Sequence, residues 1–412
     1  MIHIENKKDC CGCEACVQKC PKHCIAFRQD KEGFFYPQVD SEKCIDCHLC
    51  EKVCPIINQG QVRKPKFAYA AFNSDSLIRM KSSSGGAFTW IATKVIEQGG
   101  VVFGACYDEY WNVIHSYTES TEGLERFRGS KYVQSRIGTT YKRAKEFLDS
   151  GRYVLFTGTP CQIRGLKLFL RKDYNNLYTA DFVCHGVPSP KIWQQYLCEE
   201  LERIEKTKTE RSSADGKNTV LSLSLIAASA LADIAFRDKN DYGWEKFCFV
   251  IRKKSGNKAR QNSVLLSDIH YNNPYFSLFL SHVLERYSCY DCPAKSGKSG
   301  SDLTMGDYWG IDYDQIIKKD DKGVSLLMAH SDKGKWLMDG LVDSKRSFQH
   351  AVAHNPMIVT SLKSSKLRYK TYDAIEKKGV HSVSLYVRRR KKIIQIVNKI
   401  LCKMHINYQW SE

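Results

Sequence analysis

CCGCEACVQKCP at residues 10–21 and CIDCHLCEKVCP at residues 44–55 each spell C-x2-C-x2-C-x3-C-P, first through Cys10, Cys13, Cys16, Cys20 and Pro21 and again through Cys44, Cys47, Cys50, Cys54 and Pro55. Three thiols spaced this tightly wrap one 4Fe-4S cubane, and the fourth, on the turn leading away, reaches the other cubane. The pattern predicts a first cluster on Cys10, Cys13, Cys16 and Cys54 and a second on Cys44, Cys47, Cys50 and Cys20. A pair of four-cysteine zinc sites is the competing reading, but zinc ribbons pair C-x-x-C dyads rather than repeating an eight-thiol motif. Cys11 and Cys24 do not fit the ligand spacing and read as bystanders. Between the motifs, Ile25 to Phe27 and Phe34 to Tyr36 flank Lys31-Glu32-Gly33 and read as a hairpin that shields the clusters from water. Such a module moves single electrons at low potential and cannot itself deliver hydride.

Around it stands a chain of 412 residues, enough for two or three domains and a sizeable core. Hydrophobic residues make up 42% and charged residues 26%, far from the composition of a disordered chain. The longest uncharged apolar run, Val220 to Ala232, is shorter than the ~20 residues a membrane-crossing helix needs. Met1 to Asp9 holds Glu5, Lys7, Lys8 and Asp9, unlike a signal peptide, so a cytoplasmic protein is expected. In that setting eighteen cysteines point to metal or redox chemistry rather than to disulfides. The formal net charge is +18 and unevenly spread: Met1 to Gly60 carries 8 Lys and Arg against 9 Asp and Glu, whereas Ser361 to Glu412 carries 13 against 3. No helix-turn-helix, zinc-finger, RRM or KH pattern accompanies the charge, so nucleic acid is not an expected partner.

Gln61 to Lys66, polar and carrying Pro65, is a linker that closes a first domain at residues 1–60. A second domain is expected over residues 66–345, and a basic C-terminal extension over residues 346–412. In the second domain strand and helix signals alternate. Strand Phe67 to Phe72 leads to the loop KSSSGG at Lys81 to Gly86 and to a helix with Ala87, Phe88, Ile91, Ala92, Val95 and Ile96 on one face; Gly99-Gly100 stops it before strand Val101 to Ala105. Helix Thr139 to Ser150, strand Tyr153 to Phe156, helix Ile163 to Arg171, strand Tyr178 to Val183 and a helix from Pro190 repeat the pattern. The alternation predicts an α/β domain with a mostly parallel sheet following an α+β ferredoxin-like two-cluster module. Val220 to Ala232 reads as either strand or helix, Ala235 to Lys239 and Phe247 to Arg252 as strands, and Pro274 to Arg286 as a helix.

A one-electron wire ahead of an α/β body implies a cofactor there that exchanges both one and two electrons, which is flavin chemistry. Ser82 to Gly86 could cradle its diphosphate, because small residues let backbone N–H groups approach and the following helix points its positive end at the site; Ser-Gly-Gly before a helix is also an ordinary cap. TGTPCQ at Thr157 to Gln162 and DFVCHG at Asp181 to Gly186 both follow strands, at the carboxyl edge where open α/β sheets bind ligands. If these strands are parallel neighbours, Cys161 and Cys184 face one crevice, and Cys289 and Cys292 in a C-x-x-C-P bring the thiols to four. Those four can hold a third cluster or a zinc ion, or stay unligated.

The ordered motifs are SSGGAFT at Ser83 to Thr89, GSKYVQS at Gly129 to Ser135, TGTPCQ, CHG at Cys184 to Gly186, FRDK at Phe236 to Lys239, GW at Gly243-Trp244 and CYDCPAKSGKSGSDLTMGDYWG at Cys289 to Gly310. From Met1 to about His330 the chain carrying them resembles the beta subunits of the coenzyme F420 (deazaflavin) hydrogenases and dehydrogenases, which are iron–sulfur flavoproteins. The resemblance implies FAD in a flavin-binding α/β domain, with a third 4Fe-4S cluster on Cys161, Cys184, Cys289 and Cys292 beside it. Its motifs set the candidate FAD contacts at Ser83, Ser84, Gly85, Gly86, Ala87, Lys131, Tyr132, Ser135, Thr157, Gly158, Thr159, Pro160 and Asp307. Thr207 to Ala232 and the basic tail after Ser361 depart from the family pattern.

Individual residues carry two readings each. Lys131 and Tyr132 could hold a flavin phosphate or a substrate anion, or be a solvated cation and a packed ring; His185 could move a proton near the flavin or be structural. Asp307 could bind a ribityl hydroxyl or cap a turn, and Arg237 and Lys239 could bind an acidic substrate or pair with Asp238 and Asp241. In the tail, Ile393, Ile396, Val397, Ile400, Leu401 and Met404 share a helix face behind the run Arg388 to Lys392. That helix suits peripheral membrane contact, and the positive surface suits an acidic electron donor such as reduced ferredoxin. The resulting expectation is an oxidoreductase passing single electrons through 4Fe-4S clusters to FAD, which exchanges hydride with an organic substrate. Its alternatives are a deazaflavin coenzyme oxidoreductase and a non-catalytic electron-transfer subunit of a larger complex.

Overall fold

The computed structural model describes residues 1–209, 230–254 and 263–403. In the N-terminal module two short helices, Ala15–Lys19 and Leu49–Lys52, each start from a left-handed residue, Glu14 (φ 59°) and His48 (φ 56°), and hold Cys16 and Cys50 respectively. This matched geometry is the structural form of the repeated motif. The predicted hairpin is present: β1 (Ile25–Gln29) and β2 (Phe35–Val39) pair antiparallel with Ile25 opposite Val39. Ile2 and Ile25 pack with Cys16, Cys20, Cys24, Cys50 and Cys54 in a small apolar core.

The body contains β3 (Phe67–Phe72), β4 (Val101–Tyr107), β5 (Val113–Thr118), β6 (Val154–Thr157), β7 (Leu177–Phe182), β8 (Leu231–Asp238), β9 (Cys248–Lys253), β10 (Ser263–Ile269), β11 (Leu303–Asp307), β12 (Ser325–Ala329) and β13 (Val342–Ser347). An eight-stranded sheet runs β13-β3-β12-β11-β7-β6-β4-β5, and β10-β9-β8 form a separate antiparallel sheet. Parallel pairing holds at the centre, β4-β6-β7-β11, where helical crossovers cover the sheet. Both ends turn antiparallel. The β4 to β5 link shows why: Asp108 Oδ1 accepts from the backbone N–H of Tyr110 and Asn112, closing a turn too short for a crossover.

The loops after β6 and β7 leave the same edge as neighbours, because β6 pairs parallel with β7. The expected juxtaposition of TGTPCQ and DFVCHG follows from that. The helix expected over Pro274 to Arg286 stops at Phe279, because His282 takes a left-handed φ of 53° and the chain swings into the 3-10 turn Tyr287–Asp291. The linker is pinned rather than loose: Arg63 N donates to Ser296 O at 2.9 Å, and the Arg164 guanidinium donates to Asn58 O at 3.0 Å.

Two sequence expectations change at the C-terminus. The boundary at 345/346 falls inside β13, which pairs with β3 from Val342 to Ser347. The helix Arg368–Lys403, broken at Gly379 (φ 79°, ψ 165°), buries Tyr372, Ile375, Val380, Val383 and Val387 in the same core as Trp193, Phe249 and Tyr275. Up to Val387 these residues are part of the body, not an extension of it. The segment Thr207 to Ala232, with its undecided run Val220 to Ala232, lies largely outside the described residues, as does Met404; Leu231 opens β8. No described helix is long and apolar enough to cross a membrane.

Candidate functional site

The motif thiols gather closely, with Cys50 near Cys16 and Cys54 as well as near its own motif. A cavity is lined by Cys20, Cys44, Cys47 and Cys50 together with Cys24, Met1 and Ile45, so the crossover thiol Cys20 does face the second motif. Cys24 is therefore not remote: its sulfur lies 3.3 Å from that of Cys20. In the other set burial raises the Cys16 thiol, and Cys10 and Cys54 beside it raise it further; Cys54 is raised first by burial and also by Cys10. Among the described residues no three His, Cys, Asp or Glu side chains converge on a single-ion site. A zinc ion needs thiolates ~2.3 Å from one centre, whereas a cubane holds its four thiolates apart around a four-iron core. The repeated eight-thiol spacing is the pattern that cubane ligation asks for.

Cys161, Cys184, Cys289 and Cys292 arrive from three segments and meet. Cys161 sits in the first turn of helix Pro160–Leu170, which Thr159 and Gln162 close with a reciprocal capping box. Cys184 follows β7, and Lys295 Nζ donates to its carbonyl at 2.6 Å. Cys289 and Cys292 flank the end of the 3-10 turn, with Cys292 N donating to Ser361 Oγ at 2.9 Å. Burial pushes the Cys184 thiol up to about 12, against the opposing pull of Lys295, with Cys161 and Cys292 adding to the rise. Cys289 is raised by burial and then by Cys184, Cys292 and Cys161. Four half-buried thiols that raise one another must lose protons to bind a metal, so loading this set would release protons.

Cys11 lies between the module and the body. Its thiol interacts with both Cys13 and Cys161, and its carbonyl accepts from Gln134 Nε2 at 3.1 Å. A Cβ on Gly165, one turn after Cys161, would lie 3.0 Å from Cys13 Sγ, so a glycine there lets the first thiol set press against the helix. Arg286, fully buried, joins three segments: Nε donates to Cys10 O at 2.7 Å, Nη1 to Gln134 Oε1 at 3.2 Å and Nη2 to Phe35 O at 2.9 Å. Glu14 completes the seam, accepting from Arg136 Nε at 2.7 Å and Ile137 N at 3.0 Å. None of Cys11, Gly165, Arg286 and Glu14 stands in a ligand pattern, so spacing could not reveal them.

The remaining motifs gather beside Asp307, at the carboxyl end of β11. Ser83 Oγ accepts from Ser130 N at 2.7 Å, which joins SSGGAFT to GSKYVQS. Helix Ala87–Glu97 starts at Gly86 (φ 85°) with no side chain capping it, and Arg128 Nε donates to Thr89 Oγ1 in its first turn at 3.1 Å. Lys131 is nearby in the chain, and burial pulls its ammonium down to about 8, leaving it mostly charged at neutral pH. Ser84 Oγ donates to Val324 O and Gly85 N to Ser325 Oγ, so these two position the loop. Lys239 does not pair with Asp241; buried, it donates to the carbonyls of Arg79, Ser84 and Lys322 at 2.6, 2.9 and 2.6 Å and fixes the loop from behind. Lys239→Met is expected to lower the unfolding free energy by about 3 kcal/mol, because three buried carbonyls lose their donor; urea denaturation reads this.

Arg237 pairs with Asp307 rather than Asp238, which binds Arg252 instead. Trp244 Nε1 donates to the other Asp307 oxygen at 2.8 Å, and its ring stacks on Trp309 at 4.6 Å and 3°. Both Asp307 oxygens thus serve internal donors, while Arg237 Nε and Nη2 have no hydrogen-bond partner among the described residues. His185 lies by this pair: burial, then Lys295, lowers its imidazole to about 4. Tyr132 packs edge-on against Phe236 and Phe276. Ser135, Thr157, Gly158, Thr159 and Pro160 stand apart from the loop group and seat Cys161: Gln162 Nε2 donates to Ser135 Oγ at 2.9 Å, Thr157 Oγ1 to Phe103 O at 2.9 Å, and Thr159 and Pro160 start the helix.

A 4Fe-4S dicluster domain matches residues 9–56, and the N-terminal and C-terminal parts of the coenzyme F420 hydrogenase/dehydrogenase beta subunit match residues 68–140 and 151–352. A coenzyme F420-dependent sulfite reductase from Methanocaldococcus jannaschii is 26% identical over 213 residues, 48% of this chain and 32% of that one. The chain thus spans about a third of that relative's length. A ferredoxin from Saccharopolyspora erythraea is 32% identical over 77 residues, 18% of this chain and 68% of its own length. Among solved structures, a chain of the F420-reducing nickel–iron hydrogenase complex from Methanosarcina barkeri aligns with a TM-score of 0.44 at 16% identity, covering 72% of this chain and 91% of that one. With both parts of one family matched in order behind a dicluster domain, the chain belongs to the coenzyme F420 hydrogenase/dehydrogenase beta-subunit family.

Proposed function

We propose that the chain is an iron–sulfur flavoprotein oxidoreductase in which single electrons pass through the two ferredoxin-type clusters and a third cluster on Cys161, Cys184, Cys289 and Cys292 to FAD, for hydride exchange with an organic substrate. The observation that carries this is the meeting of those four thiols beside Cys11, at the seam where the dicluster module is bolted to the body. FAD, when bound, supplies the exchange between single electrons and electron pairs. The residues present suit it: the uncapped start of helix Ala87–Glu97 with Arg128 beside it is a place for a diphosphate, and the unpartnered nitrogens of Arg237 offer donors to a polar ring or chain. His185, held neutral because burial lowers its imidazole to about 4, can offer a hydrogen bond near Asp307 without carrying charge. Arg286 keeps a permanent positive charge near Cys10, Cys11 and Cys289, which favours thiolate-rich anionic clusters. Reduced ferredoxin or a similar acidic donor is the proposed partner, and the family match favours the deazaflavin coenzyme as one organic substrate.

Cys289→Ser tests the third set. The variant is expected to lose about four irons per chain while keeping the signals of the first two clusters. Full iron retention contradicts the proposal.

A further inference from the structure

After Gly379 the C-terminal helix has two unlike faces. Val380, Val383, Ser384 and Val387 are buried against the body. On the opposite side Leu385, Tyr386, Ile393 and Ile396 are 48%, 59%, 60% and 48% exposed. At about 100° per residue these four fall within one arc of roughly 100°. Arg390 and Lys392 stand at its two edges and Arg389 within it, while Arg388 and Lys391 are tied back to the body by the carbonyls of Asn272 and Leu280.

We propose that this face is an interfacial anchor that lays the chain on an anionic lipid bilayer, apolar stripe in the acyl boundary and cations on the headgroups. The outward face combines a narrow apolar arc with flanking long cations, the pattern of helices lying in the membrane plane. Arginine and lysine stems run along apolar surface while their charges stay in water, so Arg389 within the arc is compatible with insertion. The region from Ser361 to Glu412 is net positive by ten charges, complementary to anionic lipid. A second copy of the chain would set the same cations face to face, and like charges oppose that pairing. The inner face packed up to Val387, with Arg388 and Lys391 bonded to the body, sets the side on which the stripe lies.

The test is co-sedimentation of the anaerobically purified full chain with phosphatidylcholine vesicles, with and without phosphatidylglycerol. Binding is expected only to the anionic vesicles. It should weaken at least about tenfold in Arg389→Glu/Arg390→Glu/Lys392→Glu and likewise in Ile393→Asp/Ile396→Asp, with iron content unchanged in both. No binding to anionic vesicles overturns the proposal. So does unaltered binding by the isoleucine variant, which would mean charge attraction without insertion. A dimer that the isoleucine variant dissolves, with no vesicle binding, assigns the face to a second copy and equally overturns it.

Discussion

Arg286→Leu is expected to destabilise the chain by about 5 kcal/mol and to loosen the dicluster module from the body, with loss of iron from the first cluster. Three acceptors, Cys10 O, Gln134 Oε1 and Phe35 O, lose their donor together in a buried seam, and charge-assisted bonds of this kind are each worth about 1.5–3 kcal/mol. The guanidinium also lies 4.2 Å from the Tyr36 ring centroid, so a cation–π contact goes with it. Arg286→Lys should recover little, because an ammonium cannot span three acceptors with a planar fork. Removing the positive charge should also make the cluster potentials more negative in any protein that retains iron. Urea denaturation, iron analysis and a redox titration measure the three effects. A variant as stable as the parent, with unchanged potentials, would remove Arg286 from the account.

Arg368→Leu is expected to cost 3–5 kcal/mol, in the range of about 3–5 for breaking one side of a buried ion pair. Its Nη1 and Nη2 reach Glu32 Oε1 and Oε2 at 3.1 and 2.8 Å, and Nε and Nη2 also donate to Glu285 O at 3.0 and 2.9 Å. Both ends are almost fully buried, so the lone Glu32 carboxylate left in the variant has no solvent to turn to. Glu32→Leu/Arg368→Leu should therefore recover part of the loss, since the double change removes the unpaired charge. Equilibrium unfolding of the three variants completes the cycle. If the double variant is as unstable as the sum of the singles, the pair is not coupled and the two residues act independently.

These two arginines also show where sequence reading stops. The eight cysteines are legible because cluster ligation fixes spacing in the chain, and the central parallel strands because a crossover helix imposes a 3.6-residue period between apolar runs. Cys161 and Cys184 could be placed together because β6 and β7 are parallel neighbours, a relation implied by the alternation itself. Arg286 and Arg368 contact partners 276 and 336 residues away, and no local pattern encodes such pairs. The antiparallel strands β12 and β13 are hidden for a similar reason: both flank β3, far back in the chain, and they carry no hairpin turn to it. At the C-terminus the conspicuous charge run describes the outward face, whereas Val380, Val383 and Val387 decide the packing. Asp307 and Lys239 were visible as motif residues, but that their polar atoms serve the Arg237–Trp244 group and the Ser84 loop follows only from the folded arrangement.

The central claim is that twelve thiols hold three cubanes ahead of a flavin. Iron, acid-labile sulfide and extracted flavin per chain, determined together on anaerobically prepared protein, test it most directly. About twelve irons, about twelve sulfides and about one FAD are expected, at four irons per cubane. Eight irons without flavin would reduce the body to a scaffold for a two-cluster ferredoxin and contradict the account.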